Sequence, residues 1–299
     1  MTAPRIAFLG IGLMGAPMSL RLLGAGHPVH AWNRTPAKAE ALRGHGIHPH
    51  ATVADAVRGA EVIVSMLESG AVVGEVIDSS IAALAPGALW IDMSSTQQGE
   101  ALAFHARLAA QGCRFIDAPV SGGVAGAEAG TLAIMAGGAP DDFQQAQALL
   151  AVMGRPTLVG PAGSGQVAKL CNQLIVGGTL NIVAEALLLA QAAGADPAAV
   201  RSAIRGGFAE SKILEMHGQR MLDRNFMPGG QVKSQLKDLR NVLVAAAAAG
   251  VVLPVTALVT EAYASIEQAH PRADHAAALL ALEKRNPGQR LGVVPDQLP

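Results

Sequence analysis

Residues 5–15 read RIAFLGIGLMG, an apolar run of strand-forming residues that enters three glycines, Gly10, Gly12 and Gly15, at the spacing of a dinucleotide-binding turn. The first glycine lets the strand turn sharply. The second lets backbone N–H groups approach a pyrophosphate, and the third lets the next helix pack close to the sheet. That helix then presents its unpaired N–H groups to the anion. Glycine alone is a weak signal in a chain with 34 of them, because any tight strand-to-helix turn tolerates it. The surroundings decide: residues 16–25 suit a helix, Gly26 stops it, and a second strand follows at 28–32, the order of a βαβ unit. Ile11, Leu13 and Met14 fill the turn and join the glycines in the expected cofactor site.

The end of the second strand bears on which dinucleotide is bound. An NAD site usually places Asp or Glu there to hold the adenosine ribose; this chain has Asn33, Arg34 and Thr35. No carboxylate stands there to repel a 2′-phosphate, and Arg34 offers a charged planar donor set. The expectation is a preference for NADP(H), with NAD(H) possible. Two roles stay open to Arg34 and are compatible: phosphate partner, or solvated residue ahead of a helix begun by Thr35 and Pro36 as N-cap and N1.

With 299 residues and 51% hydrophobic content, the chain can bury a sizeable core and is expected to form two domains, 1–162 and 163–299. A net charge of −1 gives no electrostatic footprint for nucleic acid or an anionic membrane, and 3% aromatics leave few stacking platforms. The expected partners are therefore small molecules and other protein subunits. Cys113 and Cys171 lack metal spacing and read as small buried hydrophobes; with no leader-like start, a reducing cytoplasm is the expected location. Residues 241–260 carry no charge over a span long enough to cross a membrane, but Gly250 and Pro254 split them into two buried helices.

Up to about residue 160 short apolar strands alternate with helices, most clearly at 61–67, 88–93, 114–120 and 131–136. That alternation predicts an α/β doubly wound parallel sheet of Rossmann type. Helical periodicity then takes over in an all-α second domain. Its first helix, 164–193, is apolar on nearly every face, which predicts a buried spine. Further helices are expected at 197–205, 211–220, 232–249, 255–270 and 273–284, and a mobile or extended tail from Asn286.

Lys169, Asn172 and Gln173 interrupt the apolar spine, at spacings that share a helix face. A buried lysine is costly without a partner, so its position suggests catalysis; the alternative is a lysine that snorkels to solvent. Reducing a carbonyl develops negative charge on oxygen, and a lysine can supply the proton or the positive charge. Asn172, one turn on, could orient that lysine or bond a substrate group. The second constellation is DAPVSGG, 117–123, at the carboxyl end of an expected strand. Ser121 brings a hydroxyl, and Gly122 with Gly123 exposes backbone N–H groups suited to a small carboxylate; a plain strand-ending turn is the alternative. No histidine lies in an activating motif that would make Ser121 a nucleophile. His45, His48 and His50 sit in GHGIHPH, read as an exposed loop, and no metal site is expected. Met14, Met66 and Met93 suit packing, with Met14, and Met66 beside Leu67, also placed with the cofactor.

FLGIGLMG, DAPVSGG followed by VAGAEAGTLAIMAGG, GSGQVAKLCNQ and KDL together resemble the signatures of the β-hydroxyacid dehydrogenase family, over residues 5 to about 285. The resemblance implies a Rossmann domain, a helical second domain, NAD(P)-dependent chemistry at a β-carbon of a small semialdehyde or hydroxyacid, and homodimers or homotetramers built through the helical domains. It also implies roles: Lys169 as acid/base, Ser121, Gly122 and Gly123 as carboxylate cradle, Asn172 as substrate or lysine partner. Thr96 matches a position near the nicotinamide, and Lys237 a lysine that reaches the cofactor. The family often continues Lys-x-x-Asn-Asn, whereas Gln173 takes the last place here; if the amide pair reads the α-substituent, the longer side chain favours a hydroxyl over a methyl. The imine reductases share the architecture but usually replace the lysine. A non-catalytic nucleotide binder would be expected to have lost Lys169, Ser121 or the glycines, and all are present.

Overall fold

The computed structural model describes residues 3–299, and the chain divides into two compact units, one ending at Lys169 and the other Leu170–Pro299. The division falls seven residues after the expected boundary at 162/163, inside the long helix that begins at Ser164.

The first unit is built on β1 (Ile6–Leu9), β2 (Val29–Trp32), β3 (His48–Pro49), β4 (Val62–Ser65), β5 (Leu89–Asp92), β6 (Arg114–Asp117), β7 (Val120–Ser121), β8 (Leu132–Gly137) and β9 (Gly154–Gly160). The intervening helices are α1 (Gly15–Gly24), α2 (Pro36–Glu40), α3 (Val53–Val57), α4 (Gly70–Ser80), α5 (Gln98–Ala109), α6 (Gly123–Ala129) and α7 (Pro140–Ala151). The sheet order is β3-β2-β1-β4-β5-β6-β8-β7, with β9 added beside β8. Strand β1 is buried along its whole length, as a parallel strand covered on both faces must be. Ile6 and Phe8 enter one core with Met18 and Leu22, while Ala7 and Leu9 enter the other with Val73 and Ile77. The chain reverses its direction of winding at β1 and β4, so their carboxyl ends border the crevice where such sheets bind ligands.

The stretch read as one strand, 114–120, is two. Pro119 has no N–H to give a ladder, and the chain breaks after Asp117, so that β7 pairs antiparallel with β8 while β6 stays parallel to β5. The GHGIHPH segment also departs from a plain loop. His48 and Pro49 form β3 in register with His30 and Ala31, which stacks the His48 and His30 rings 4.9 Å apart.

Helix α8 (Ser164–Ala192) is followed by α9 (Pro197–Ile204), α10 (Lys212–Leu222), α11 (Val232–Ala248), α12 (Pro254–Ala264) and α13 (Ala278–Arg285). Residues 241–260 are thus divided between α11 and α12. Among the described residues only α8 is long and apolar enough to cross a membrane by length and composition. The expectation that α8 is buried all round is corrected: Ile175, Ile182 and Leu189, seven residues apart, are 62%, 61% and 69% exposed. The helical unit's core, with Leu180, Leu187, Leu236 and Tyr263, takes only one side of the helix. The tail is likewise not loose. Arg224, fully buried, donates to Glu283 at 2.7 and 2.9 Å and to the Leu291 carbonyl at 2.9 Å, and it pairs with Asp296. Phe226 N–H closes the strap on the Gln297 carbonyl at 2.9 Å.

Candidate active site

The glycine turn is fixed from inside the unit at two glycines and left open at the third. Gly10 has φ +105°, and a Cβ there would lie 2.3 Å from the Met66 carbonyl oxygen; at Gly15 it would lie 1.9 Å from that of Gly10. Gly12 has nothing within 4 Å of an added Cβ, so packing does not demand glycine there and its bare backbone faces open space. Asn33 Oδ1 accepts the Ile11 N–H at 3.0 Å and its Nδ2 donates to Thr35 O at 2.9 Å, which fastens the turn to the end of β2. Helix α1 begins without a side-chain cap and without an acid in its first turn. Its N–H groups thereby suit an anionic group, and the residues present fit a dinucleotide pyrophosphate. Leu13 stands exposed on the turn and Met14 is half-buried.

Arg34 is well exposed, as expected, but the reading that no carboxylate is near it is corrected. Glu68, arriving beyond β4, lies 3.6 Å from the guanidinium, with the two side chains 76% and 71% exposed. A pair this exposed is worth about 0–1 kcal/mol and yields readily to a phosphate.

A buried polar floor lies under the sheet edge beside Met66 and Leu67. Ser65 donates to Asp92 Oδ1 at 2.8 Å, Trp90 Nε1 donates to Ser65 at 2.9 Å, and the Leu67 N–H donates to Ser94 Oγ at 2.9 Å. Burial pushes the Asp92 carboxyl up to about 6, against the bonds from Ser94 and Ser65. From this floor rises Thr96, whose buried Oγ1 has no hydrogen-bond partner among the described residues. An orphaned buried hydroxyl is expensive, and here it fits a polar cofactor or substrate group.

Gln166, buried on the first turn of α8, clamps that loop: its Oε1 accepts the Thr96 N–H at 3.0 Å and its Nε2 donates to Ser94 O at 2.9 Å. Asp117 meets the same helix end, with Oδ1 accepting the Gly163 N–H at 2.7 Å and Oδ2 the Gln166 N–H at 2.8 Å. Three residues beyond Gln166, Lys169 is 9% exposed and its Nζ donates to the Val120 carbonyl at 2.9 Å. The ammonium is therefore beside the start of Ser121-Gly122-Gly123. Gly122 has φ +139° and Gly123 φ +63°, and an added Cβ at Gly123 meets nothing within 4 Å.

In the helical unit, Asn172 Nδ2 donates to Gln173 Oε1 at 2.9 Å, and Gln173 Nε2 donates to Asp238 Oδ2 at 2.6 Å and lies 3.4 Å from Gln235 Oε1. Gln235 returns a bond to the Gln173 carbonyl at 3.0 Å. Gln173 is thus anchored to α11, and Asn172 is held by it. Lys237 on α11 pairs with Asp238 at 3.3 Å.

Sequence reasoning missed Asp92, Ser94, Gln166 and Glu68, and gave no role to Asp117, the first residue of DAPVSGG. The signal available was two acids ending neighbouring strands, Asp92 and Asp117, in register across β5 and β6. Cys113 is buried as expected, whereas Cys171 is exposed.

The sequence-family description "NAD binding domain of 6-phosphogluconate dehydrogenase" matches residues 5–171, and "NAD-binding of NADP-dependent 3-hydroxyisobutyrate dehydrogenase" matches residues 163–282. The chain is 38% identical over 284 residues to 2-hydroxy-3-oxopropionate reductase of Escherichia coli K12, which covers 93% of this chain and 97% of the relative. It is 34% identical over 290 residues to a probable 3-hydroxyisobutyrate dehydrogenase of Mycobacterium bovis, covering 94% and 98%. The structure of Mycobacterium tuberculosis 3-hydroxyisobutyrate dehydrogenase with L-serine superposes with a TM-score of 0.87 at 33% identity, covering 94% of this chain and 99% of that one.

Proposed function

The chain belongs to the β-hydroxyacid dehydrogenase family of NAD(P)-dependent oxidoreductases, and from that premise we propose an NADP-preferring reductase of small semialdehyde acids, with tartronate semialdehyde reduced to glycerate as its reaction. The observation that carries the reading is the bond from Lys169 to the Val120 carbonyl, since it sets a buried ammonium beside the Ser121-Gly122-Gly123 backbone. In this arrangement Ser121 and the two glycine N–H groups take the substrate carboxylate, and Lys169 stands at the aldehyde oxygen.

Gly10, Ile11, Gly12, Leu13, Met14 and Gly15 would hold the cofactor pyrophosphate, Asn33, Arg34 and Thr35 its adenosine end, and Met66, Leu67, Thr96 and Lys237 the remainder. When bound, the reduced nicotinamide supplies a hydride to the aldehyde carbon. Lys169 donates a proton to the carbonyl oxygen as negative charge develops there, and accepts one back in the oxidative direction. Lysine suits both because a positioned amine can give a proton to that oxygen or take one from it. Asn172 bonds the α-substituent, and Gln173, tied to Asp238, keeps that amide in place.

The amide pair supports a hydroxyl-bearing substrate, because a site built to hydrogen-bond a substrate hydroxyl loses those bonds to a methyl analogue. The 38% identity to a 2-hydroxy-3-oxopropionate reductase supports the same choice, and the L-serine in the mycobacterial structure is itself a three-carbon β-hydroxyacid with a polar α-substituent. The exposed stripe of Ile175, Ile182 and Leu189 supports a homo-oligomer assembled through the helical unit. The test is a rate panel of tartronate, methylmalonate and succinic semialdehydes and glyoxylate, each with NADPH and NADH. Tartronate semialdehyde with NADPH is expected to give the highest kcat/KM, at least about tenfold above the methyl compound. Preference for methylmalonate semialdehyde would turn the assignment to 3-hydroxyisobutyrate, and inactivity throughout would sink it.

A further inference from the structure

Far from the glycine turn in sequence, α10 and the short 3-10 turn His275–Ala277 bring together two imidazoles and a carboxylate. The Nε2 atoms of His217 and His275 lie 3.3 Å apart, with ring centroids 4.6 Å apart and planes inclined by 76°. Nitrogen ligands about 2.0–2.1 Å from a tetrahedral zinc ion stand roughly 3.3 Å from each other. We propose that His217 Nε2 and His275 Nε2 form an open binding site for a borderline divalent cation of the zinc class, with Asp274 holding His217 from its opposite nitrogen and water completing the coordination.

The surroundings are built around these side chains. A Cβ on Gly230 would lie 2.8 Å from His275 Cε1, and one on Gly229 would lie 2.8 Å from Asp274 Oδ2. The two glycines thus clear the space that the imidazole and the carboxylate fill. Asp274 is buried and accepts the N–H groups of Gly229 at 3.1 Å, Gly230 at 3.0 Å and Ala276 at 2.9 Å.

Asp274 Oδ1 lies 3.3 Å from His217 Nδ1 and 3.4 Å from Arg220 Nε. Both nitrogens are buried, and neither makes a well-aligned hydrogen bond among the described residues. A cation on Nε2 polarises the Nδ1–H of the same ring and strengthens its pairing with the carboxylate, the carboxylate–histidine–metal arrangement. Arg220 offsets the carboxylate charge, which makes Asp274 a supporting group and leaves the two imidazoles as ligands. The same turn anchors the start of α11 through His275 N–H to Gly230 O at 2.7 Å and Val232 N–H to Ala273 O at 2.9 Å. A cation there would fasten α10 to the root of the helix that carries Lys237.

Full-length protein stripped with a chelator and titrated with zinc against a chromogenic competitor should bind one equivalent. His217→Gln and His275→Gln should each weaken that binding at least about tenfold, and zinc should raise the melting temperature of the parent but of neither variant. His50→Gln is the control, because His30 Nδ1 and His50 Nε2, 2.8 Å apart, form the other imidazole cluster. Unchanged binding in both helical-unit variants, or its loss in His50→Gln, would overturn the site. Should either variant fold poorly, zinc K-edge absorption on the His50→Gln protein decides instead: two imidazole ligands are expected, and fewer would refute the proposal. None of these measurements depends on the substrate.

Discussion

The amide N–H of Gln166 donates to Oδ2 of Asp117 at 2.8 Å, so the helix that carries Lys169 is capped by a carboxylate from the end of a β-strand. Gly163 donates to the other oxygen of the same carboxylate at 2.7 Å. When that carboxyl is ionised, the helix dipole favours its charge at the helix N-terminus. Here it also sets the position of Lys169, one turn on, relative to β6 and the loop that follows.

That cap should be visible in pH-dependent stability. Burial pushes the Asp117 carboxyl up to about 7 from its ordinary 3.8, despite the N–H bonds from Gly163 and Gln166. Between those values the folded chain binds more protons than the unfolded one, so this group's contribution to stability falls as pH rises through the window. Asp117→Asn removes the titration, and stability relative to wild type should shift in its favour by more than about 1 kcal/mol between about pH 4.5 and about pH 8. Denaturant titrations at the two values measure it; a flat difference would contradict the assignment.

Lys169→Ala should leave the fold and NADPH binding nearly intact while lowering turnover by roughly a hundredfold or more, the scale for losing a positioned proton donor. Steady-state rates and a cofactor titration give the answer. A variant within about threefold of wild type is incompatible with the acid/base role.

Arg34→Ala should weaken NADPH much more than NADH, since only NADPH offers a 2′-phosphate for a charge-assisted pair worth about 1.5–3 kcal/mol. Glu68→Gln should act in the opposite sense, tightening NADPH by up to about 1 kcal/mol by releasing the guanidinium from an exposed ion pair. Dissociation constants for both cofactors are needed, and equal changes for the two would show that Arg34 does not read the phosphate.

Gln166→Leu should cost about 1–3 kcal/mol for each partner it strands, because the Thr96 N–H and the Ser94 carbonyl are buried beside it. Cofactor affinity should fall with stability if the Ser94–Thr96 loop is part of the cofactor site. A variant that unfolds like wild type in urea would mean that water replaces the side chain.

Arg224→Met should destabilise the helical unit by about 3–5 kcal/mol, since it removes one partner from a buried charge network and leaves Glu283 uncompensated. Limited proteolysis should then cut first after residue 285, where the strap to Asp296 and Gln297 has been lost. Wild-type resistance of the tail in the variant would show that other contacts hold it.

The linear sequence determined what depends on neighbours along the chain. RIAFLGIGLMG announced strand, turn and helix because each glycine answers a local steric demand, and at Gly10 and Gly15 the demand is met by backbone atoms within 3 Å. Periodicity separated α8 from the strands before it for the same reason, since helical and strand patterns are written in spacings of a few residues. Only tertiary structure decided which distant groups meet. Glu68 reaches Arg34, Asp117 caps α8, and Arg224 ties down a tail that composition alone marks as loose. His217 and His275, 58 residues apart in sequence, come within 3.3 Å. The physical reason is common to all four: an ion pair or a buried hydrogen bond depends on the folded distance between its partners, and sequence separation leaves no periodic trace of that distance.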